Sequence, residues 1–201
     1  MLVLCAFAAS SFAVNSQIEI VGGLNMSNET YKSDGEKIDN GTKMSPGINL
    51  GALYRIELSN NLHFLTGLVL DTRGSKYVSG SETSKINLNY LTIPVNFRMH
   101  FDVSSNVKAF VNVAPYMGVA VSGSYRYKDD DSSSKESVEF KDEGDYSRLD
   151  YGLNFGLGID LDKFSVCAGY DLGLANTTRV SSGSDFKSNN STLKFTLGYK
   201  L

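Results

Sequence analysis

Leu149-Asp150-Tyr151-Gly152-Leu153-Asn154-Phe155-Gly156-Leu157-Gly158-Ile159-Asp160-Leu161 puts seven large apolar residues on its odd positions and Gly, Asn or Asp on its even ones. A helix has 3.6 residues per turn and would scatter both sets around its axis. A strand, with period two, places each set on its own face. Working outward, the same alternation returns immediately downstream. Phe164, Val166, Ala168, Tyr170 and Leu172 oppose Ser165, Cys167, Gly169, Asp171 and Gly173, and Leu193 to Leu201 repeats the pattern against Thr192, Lys194, Thr196, Gly198 and Lys200.

Upstream the phase persists with more interruptions. Ile48, Leu50, Ala52, Tyr54 and Ile56 oppose Asn49, Gly51, Leu53, Arg55 and Glu57, while Phe64, Leu68 and Leu70 oppose His63, Gly67 and Asp71. Leu91, Ile93, Val95, Phe97 and Met99 oppose Thr92, Pro94, Asn96, Arg98 and His100. A fifth run sets Ala109, Val111, Val113, Met117 and Val119 against Lys108, Phe110, Asn112 and Gly118, and Ile18 to Met26 is a short, glycine-broken first strand. Pro94 and Pro115 lack ladder donors, so a bulge, or a neighbour on the side that needs no donor, is expected at each.

The eight runs are joined by connections of two kinds. Ser59 to Asn61, Asp102 to Asn106 and Asp162 to Lys163 are minimal, whereas Ser27 to Ser45, Thr72 to Ile86, Gly123 to Ser147 and Ala175 to Ser191 are long and polar. Alternate short and long joins in an up-and-down sheet predict an all-β, eight-stranded antiparallel transmembrane barrel with one rim in a confined compartment and the other in open water.

Composition agrees. Nineteen glycines and eleven tyrosines beside three prolines and no tryptophan suit a closed sheet, and a net charge of −3 argues against nucleic acid as a partner. Residues 1–16 read as a secretory signal, because Leu2 to Ala13 is a short apolar run ending in small residues, with cleavage expected after Ala13 or Ser16. Residues 17–201 then form one barrel domain. Cys167 is the one thiol left after processing, so no internal disulfide is expected.

Periodicity alone does not say which face is inside. The rival is a secreted, lipocalin-like ligand carrier with an apolar interior. Eight inward faces of Leu, Phe and Tyr would overfill a barrel of this size, whereas an interior of Gly, Asn, Asp and Arg fits. With the polar face inward, the lumen receives Glu19, Glu57, Asp71, Asp150, Asp160 and Asp171 against Arg55, Arg73, Arg98, Lys108, Lys194 and Lys200. Six acids against six bases favour a cross-linked polar plug over an ion-selective channel, since an unpaired charge in a narrow interior costs several kcal/mol. Scattered, hydrated polar residues are the alternative.

Several stretches carry a family resemblance. Val21-Gly22-Gly23-Leu24-Asn25-Met26-Ser27, Pro46-Gly47-Ile48-Asn49-Leu50-Gly51, Leu88-Asn89-Tyr90-Leu91-Thr92-Ile93-Pro94-Val95 and Asn112-Val113-Ala114-Pro115-Tyr116-Met117-Gly118 resemble the small outer-membrane barrel proteins of Bacteroidetes, labelled PorT-like or porin-family. The resemblance implies an outer-membrane location, contact with outer-membrane lipid and the barrel-assembly machinery, and for some members an accessory role in protein secretion. Fold does not supply function.

Catalytic chemistry finds little support. His63 and His100 both point inward near the short-turn rim, and Glu57 is the nearest third ligand for a metal, a set more often met as lumen filler. Barrel enzymes that modify lipids hold their histidine at the other rim, and no G-x-S-x-G, HExxH or phosphate loop is present. No catalytic, cofactor or metal site is therefore expected. The Tyr125 to Ser147 join holds eight acids and four bases; it reads as a solvated loop, with Asp129, Asp130 and Asp131 as candidate surface contacts for a cation or partner. The expected function is a structural or surface-interaction protein, with a secretion accessory, a small-solute pore and a soluble carrier as rivals.

Overall fold

A computed structural model describes residues 16–33, 36–38, 41–80, 82–129, 133–138, 140, 146–177 and 187–201. Residues 1–15 of the signal-like segment 1–16 lie outside them, as do Asp130 and Asp131. Ten strands are formed: β1 (Ser16–Ser33), β2 (Glu36–Ile38), β3 (Thr42–Ser59), β4 (Leu62–Ser79), β5 (Glu82–Ser104), β6 (Val107–Lys128), β7 (Ser133–Ser137), β8 (Leu149–Leu161), β9 (Phe164–Gly173) and β10 (Lys187–Lys200). Eight of them pair antiparallel in the order β1-β3-β4-β5-β6-β8-β9-β10, and β10 returns to β1 from Glu19↔Lys200 to Lys32↔Lys187, closing the ring. The short strands β2 and β7 extend the ladder beside β1 and β6 at the long-hairpin end.

The two faces follow the alternation. Leu149, Tyr151, Phe155, Leu157, Ile159 and Leu161 stand exposed on the outside of β8, while Asp150 and Asp160 between them are buried. Leu24, Leu157 and Leu197 are each more than 60% exposed, within an apolar band that runs around the barrel. Water would not tolerate a continuous apolar surface of this extent. The interior also takes some bulk where glycine and asparagine leave room: Val21, Leu53, Leu65 and Val69 cluster inside, as does Phe110. Adjacent strands approach closely at Gly67, where a Cβ would lie 2.1 Å from the Ala52 carbonyl oxygen, so any side chain there pushes β3 and β4 apart.

Pro94 and Pro115 each interrupt one ladder without shifting it. Pairing lapses where Gly67 and Leu68 face Pro94 and Ile93, and where Ala114 and Pro115 face Asn96 and Val95, then resumes in the same register. The bulges lie elsewhere, between Met44 and Asn49, Glu57 and Ser59, Asn89 and Tyr90, and Asp102 and Ser104. At the short β8–β9 turn, Asp162 adopts φ 50°, a left-handed conformation that Asp tolerates better than most residues.

The long joins are corrected in one respect. Much of what reads as loop is strand: β1 continues to Ser33, β4 and β5 pair up to Ser79↔Glu82, and β5 and β6 pair up to Thr83↔Lys128. Above the apolar band no lipid demands an apolar outer face, so the outward alternation that betrays a strand lapses while the backbone ladder continues. The join after Tyr125 also departs from a solvated loop: its β7 pairs with β6, and Val138, Phe140 and Tyr146 pack on Ile86, Leu88, Tyr90 and Ala120 inside the mouth. Arg148 fixes the return, donating twice to the Phe140 carbonyl.

Candidate functional site: the charged lumen

Two layers of charge cross the interior. In the layer nearer the short turns, Arg98 lies 3.2 Å from Glu19 and Arg55 lies 3.0 Å from Asp160. Lys200 approaches the same Asp160 at 3.3 Å and His100 Nε2 approaches it at 3.0 Å. Ser165 Oγ donates to Glu19 at 2.7 Å, and the Arg98 guanidinium lies 4.2 Å from the centre of the Phe110 ring. β3 and β8 stand on opposite walls of the ring, so the Arg55 to Asp160 contact ties the barrel across its width.

The layer nearer the hairpins centres on Arg73, which is buried. Its guanidinium meets Asp150 at 2.7 Å, Asp171 at 3.0 Å and Asp71 at 3.3 Å. Lys194 meets Asp171 at 2.8 Å and Asp71 at 3.0 Å. Asn154 donates to Asp171 at 2.6 Å, Asn190 to Asp150 at 3.1 Å, and Tyr116 lies under Arg73 at 4.5 Å. Asp71 and Arg73 are two apart on β4, so strand geometry aims both inward, and the long arginine then spans to β8 and β9. Between the layers lies a cavity of about 100 Å³ bordered by Glu19, Asn49, Asp71, Thr92, Asn112 and Cys167.

Ten of the twelve expected lumen charges meet in these layers: Glu19, Arg55, Asp71, Arg73, Arg98, Asp150, Asp160, Asp171, Lys194 and Lys200. The other two stand at the rim. Lys108 pairs at 3.4 Å with Asp102, both largely in solvent, because its position near the start of β6 lies level with the turn. Glu57 lines the polar mouth beside Ser16, Gln17, Arg55 and His63. His63 and His100 do come together, edge to face with ring centres 4.6 Å apart. Among the described residues no three His, Cys, Asp or Glu side chains are grouped to hold a metal ion. Asp129 follows the end of β6.

Glu29 is a buried carboxylate that sequence reasoning missed. It is 1% exposed, lies opposite Asn190 across the β1–β10 ladder, and accepts a hydrogen bond from the Tyr31 hydroxyl. Burial pushes its carboxyl above the ordinary range, against the lowering effect of the Tyr31 hydrogen bond. It fell within a segment read as loop, yet it keeps the odd phase of Glu19 and Asn25 on β1, which is the signal that would have found it.

No curated protein matches the chain. Among solved structures it is similar to Ail, the attachment invasion locus protein of Yersinia pestis, with 18% identity, 92% of this chain and 99% of that one covered, and a TM-score of 0.41. Neisserial surface protein A shares 14% identity over 92% of this chain and 97% of that one, with a TM-score of 0.46. OprG of Pseudomonas aeruginosa shares 9% over 92% and 95%, with a TM-score of 0.48. The family model described as outer membrane protein beta-barrel domain matches residues 8–179. The chain, an eight-stranded closed ring with an apolar outside and a charged inside, belongs to this family of bacterial outer-membrane barrels.

Proposed function

We propose that the protein is a non-catalytic barrel whose lumen does not conduct and whose role is structural or surface contact. The observation that carries this reading is the pair of cross-lumen charge layers, in which Arg55 and Arg73 each bind carboxylates on the far wall. A solute would have to break these contacts to pass, leaving buried charges unpaired at a cost of several kcal/mol. The apolar packing of Val138, Phe140 and Tyr146 at the hairpin end narrows the path further.

Contacts then fall to the protruding hairpins, which face outward in barrels of this topology. Membrane lipid surrounds the apolar band, and the barrel-assembly machinery handles insertion. An accessory role in secretion, of the kind implied by the resemblance to PorT-like proteins of Bacteroidetes, would be one form of surface contact. Planar-bilayer recording tests the closed lumen: the purified protein should insert without discrete conductance steps. Regular openings in the wild-type protein at moderate voltage would make it a small-solute pore instead.

A further inference from the structure

The hairpin ends carry a row of cations set by strand register. Lys43 on β3 is the cross-strand partner of Lys76 on β4, Lys76 of Lys85 on β5, Lys85 of Arg126 on β6, and Arg126 of Lys135 on β7. Five consecutive strands thus each carry a positive charge in one cross-strand row. Directly opposed like charges destabilise a sheet. The repulsion is felt at Lys85, whose ammonium is lowered first by partial burial and then by Arg126 and Lys76. A second row repeats the arrangement across the seam, where Lys32 of β1 faces Lys187 of β10.

The face is the outer one. Lys76 shares the phase of Leu68 and Leu70, and Lys85 that of Leu91 and Ile93. The register shift between Asn89 and Tyr90 brings Arg126 onto the same side. Among the described residues no carboxylate forms an ion pair with any of the five.

Height selects the partner. Six residues separate Lys76 from Leu70, roughly 20 Å along the strand at about 3.3 Å per residue, hence about 15 Å above the apolar band at a tilt of about 40°. The headgroup layer of a simple bilayer extends only about 5 to 8 Å past the hydrocarbon on each side. Lys76, and Lys85 six residues from Leu91 on β5, therefore stand above phosphatidyl groups and within reach of a saccharide headgroup that projects from the membrane. Neighbouring strands lie about 4.8 Å apart, so the five charges span roughly 19 Å.

We propose that this outward cationic row binds the phosphorylated saccharide headgroup of an outer-leaflet glycolipid. The inference rests on the surface-contact reading and gives it a chemistry, but the two fail separately, since ion conduction would defeat the closed lumen and leave glycolipid retention as measured.

The test compares the full chain with a Lys76→Gln, Lys85→Gln, Arg126→Gln variant in nanodiscs containing lipopolysaccharide, its dephosphorylated form, or phosphatidylglycerol alone. Heat-modifiable migration serves as the control for folding. Loss of three exposed charge contacts should weaken retention of the phosphorylated glycolipid about tenfold, with salt abolishing the difference. The dephosphorylated glycolipid and phosphatidylglycerol should not distinguish the two proteins. Equal retention by both proteins overturns the proposal, as does an equally large difference on phosphatidylglycerol. Equal affinity for a soluble sulfated polysaccharide, in competition with the glycolipid, would overturn it in favour of a polysaccharide partner.

Discussion

Glu19 and Lys200 are direct cross-strand partners at the seam between the first and last strands, yet each gives its charge to another residue. Lys200 reaches Asp160 at 3.3 Å, while Glu19 takes Arg98 at 3.2 Å and Arg55 at 3.6 Å. No ion pair forms between the two. Side chains in the lumen point toward the barrel axis, so long ones meet partners across it more readily than beside them on the wall. Three basic side chains here share two carboxylates, and the shared arrangement leaves neither acid unpaired.

The register itself is directly testable. With Cys167 changed to Ser, a protein carrying Glu19→Cys and Lys200→Cys should form a disulfide under mild oxidation, because opposed residues in an antiparallel ladder lie about 5 Å apart. Replacing position 19 by Val21→Cys probes a two-residue slip and should crosslink poorly. Failure at both, in protein that is folded by its gel migration, would mean that the barrel does not close as described.

The two kinds of lumen charge should differ in weight. Arg73→Gln leaves Asp150, Asp171 and Asp71 with Lys194 as their remaining cation, and the expected loss is about 3 to 5 kcal/mol, as for other broken buried pairs. Lys108→Gln removes an exposed contact to Asp102 and should cost less than about 1 kcal/mol. Urea unfolding in micelles measures both. Similar losses would mean that the Arg73 layer is hydrated and contributes little.

What the sequence made legible follows from where two solvents meet. Within the band, lipid outside and polar lumen inside impose a strict alternation, so the phases of β8, β9 and β10 and the inward set from Glu19 to Lys200 could be read directly. Beyond the band the alternation lapses, and the upper parts of β4, β5 and β6 looked like loops. Partner choice in the lumen was not legible either, because it depends on which strands stand opposite after closure, as Arg55 on β3 and Asp160 on β8 illustrate. Phe140 folded back into the mouth carries no local signal, being a single aromatic residue within a charged stretch.

Glu29 supplies a pH dependence with a defined sign. Burial holds its folded-state carboxyl above the ordinary value of 4.5, so the folded protein binds this proton more tightly than the unfolded chain does. Its contribution is fully present below about pH 4.5 and is lost as pH rises through the folded value. Glu29→Gln should remove that loss, so the variant gains on the wild type as pH rises from 4 toward 8, measured as the difference between their urea midpoints. A constant difference across this range would show that Glu29 is solvated.

The sharpest test of the two faces uses neighbours. Phe155 lies on the outer face of β8, 46% exposed within the apolar band, whereas Asn154 points inward and donates to Asp171 at 2.6 Å. An arginine at 155 must sit in hydrocarbon or drag its guanidinium to the interface, costing roughly 2 to 4 kcal/mol near the bilayer midplane. An arginine at 154 enters a lumen that already holds Asp171 and a cavity of about 100 Å³ alongside, so it finds a carboxylate and some space and competes mainly for room. Phe155→Arg should therefore reduce the heat-modifiable, folded fraction in the membrane well below that of Asn154→Arg. If the order were reversed, the apolar face would be the inner one, and the chain would be a soluble carrier whose lumen had been turned inside out; equal tolerance would mean that position 155 lies outside the hydrocarbon.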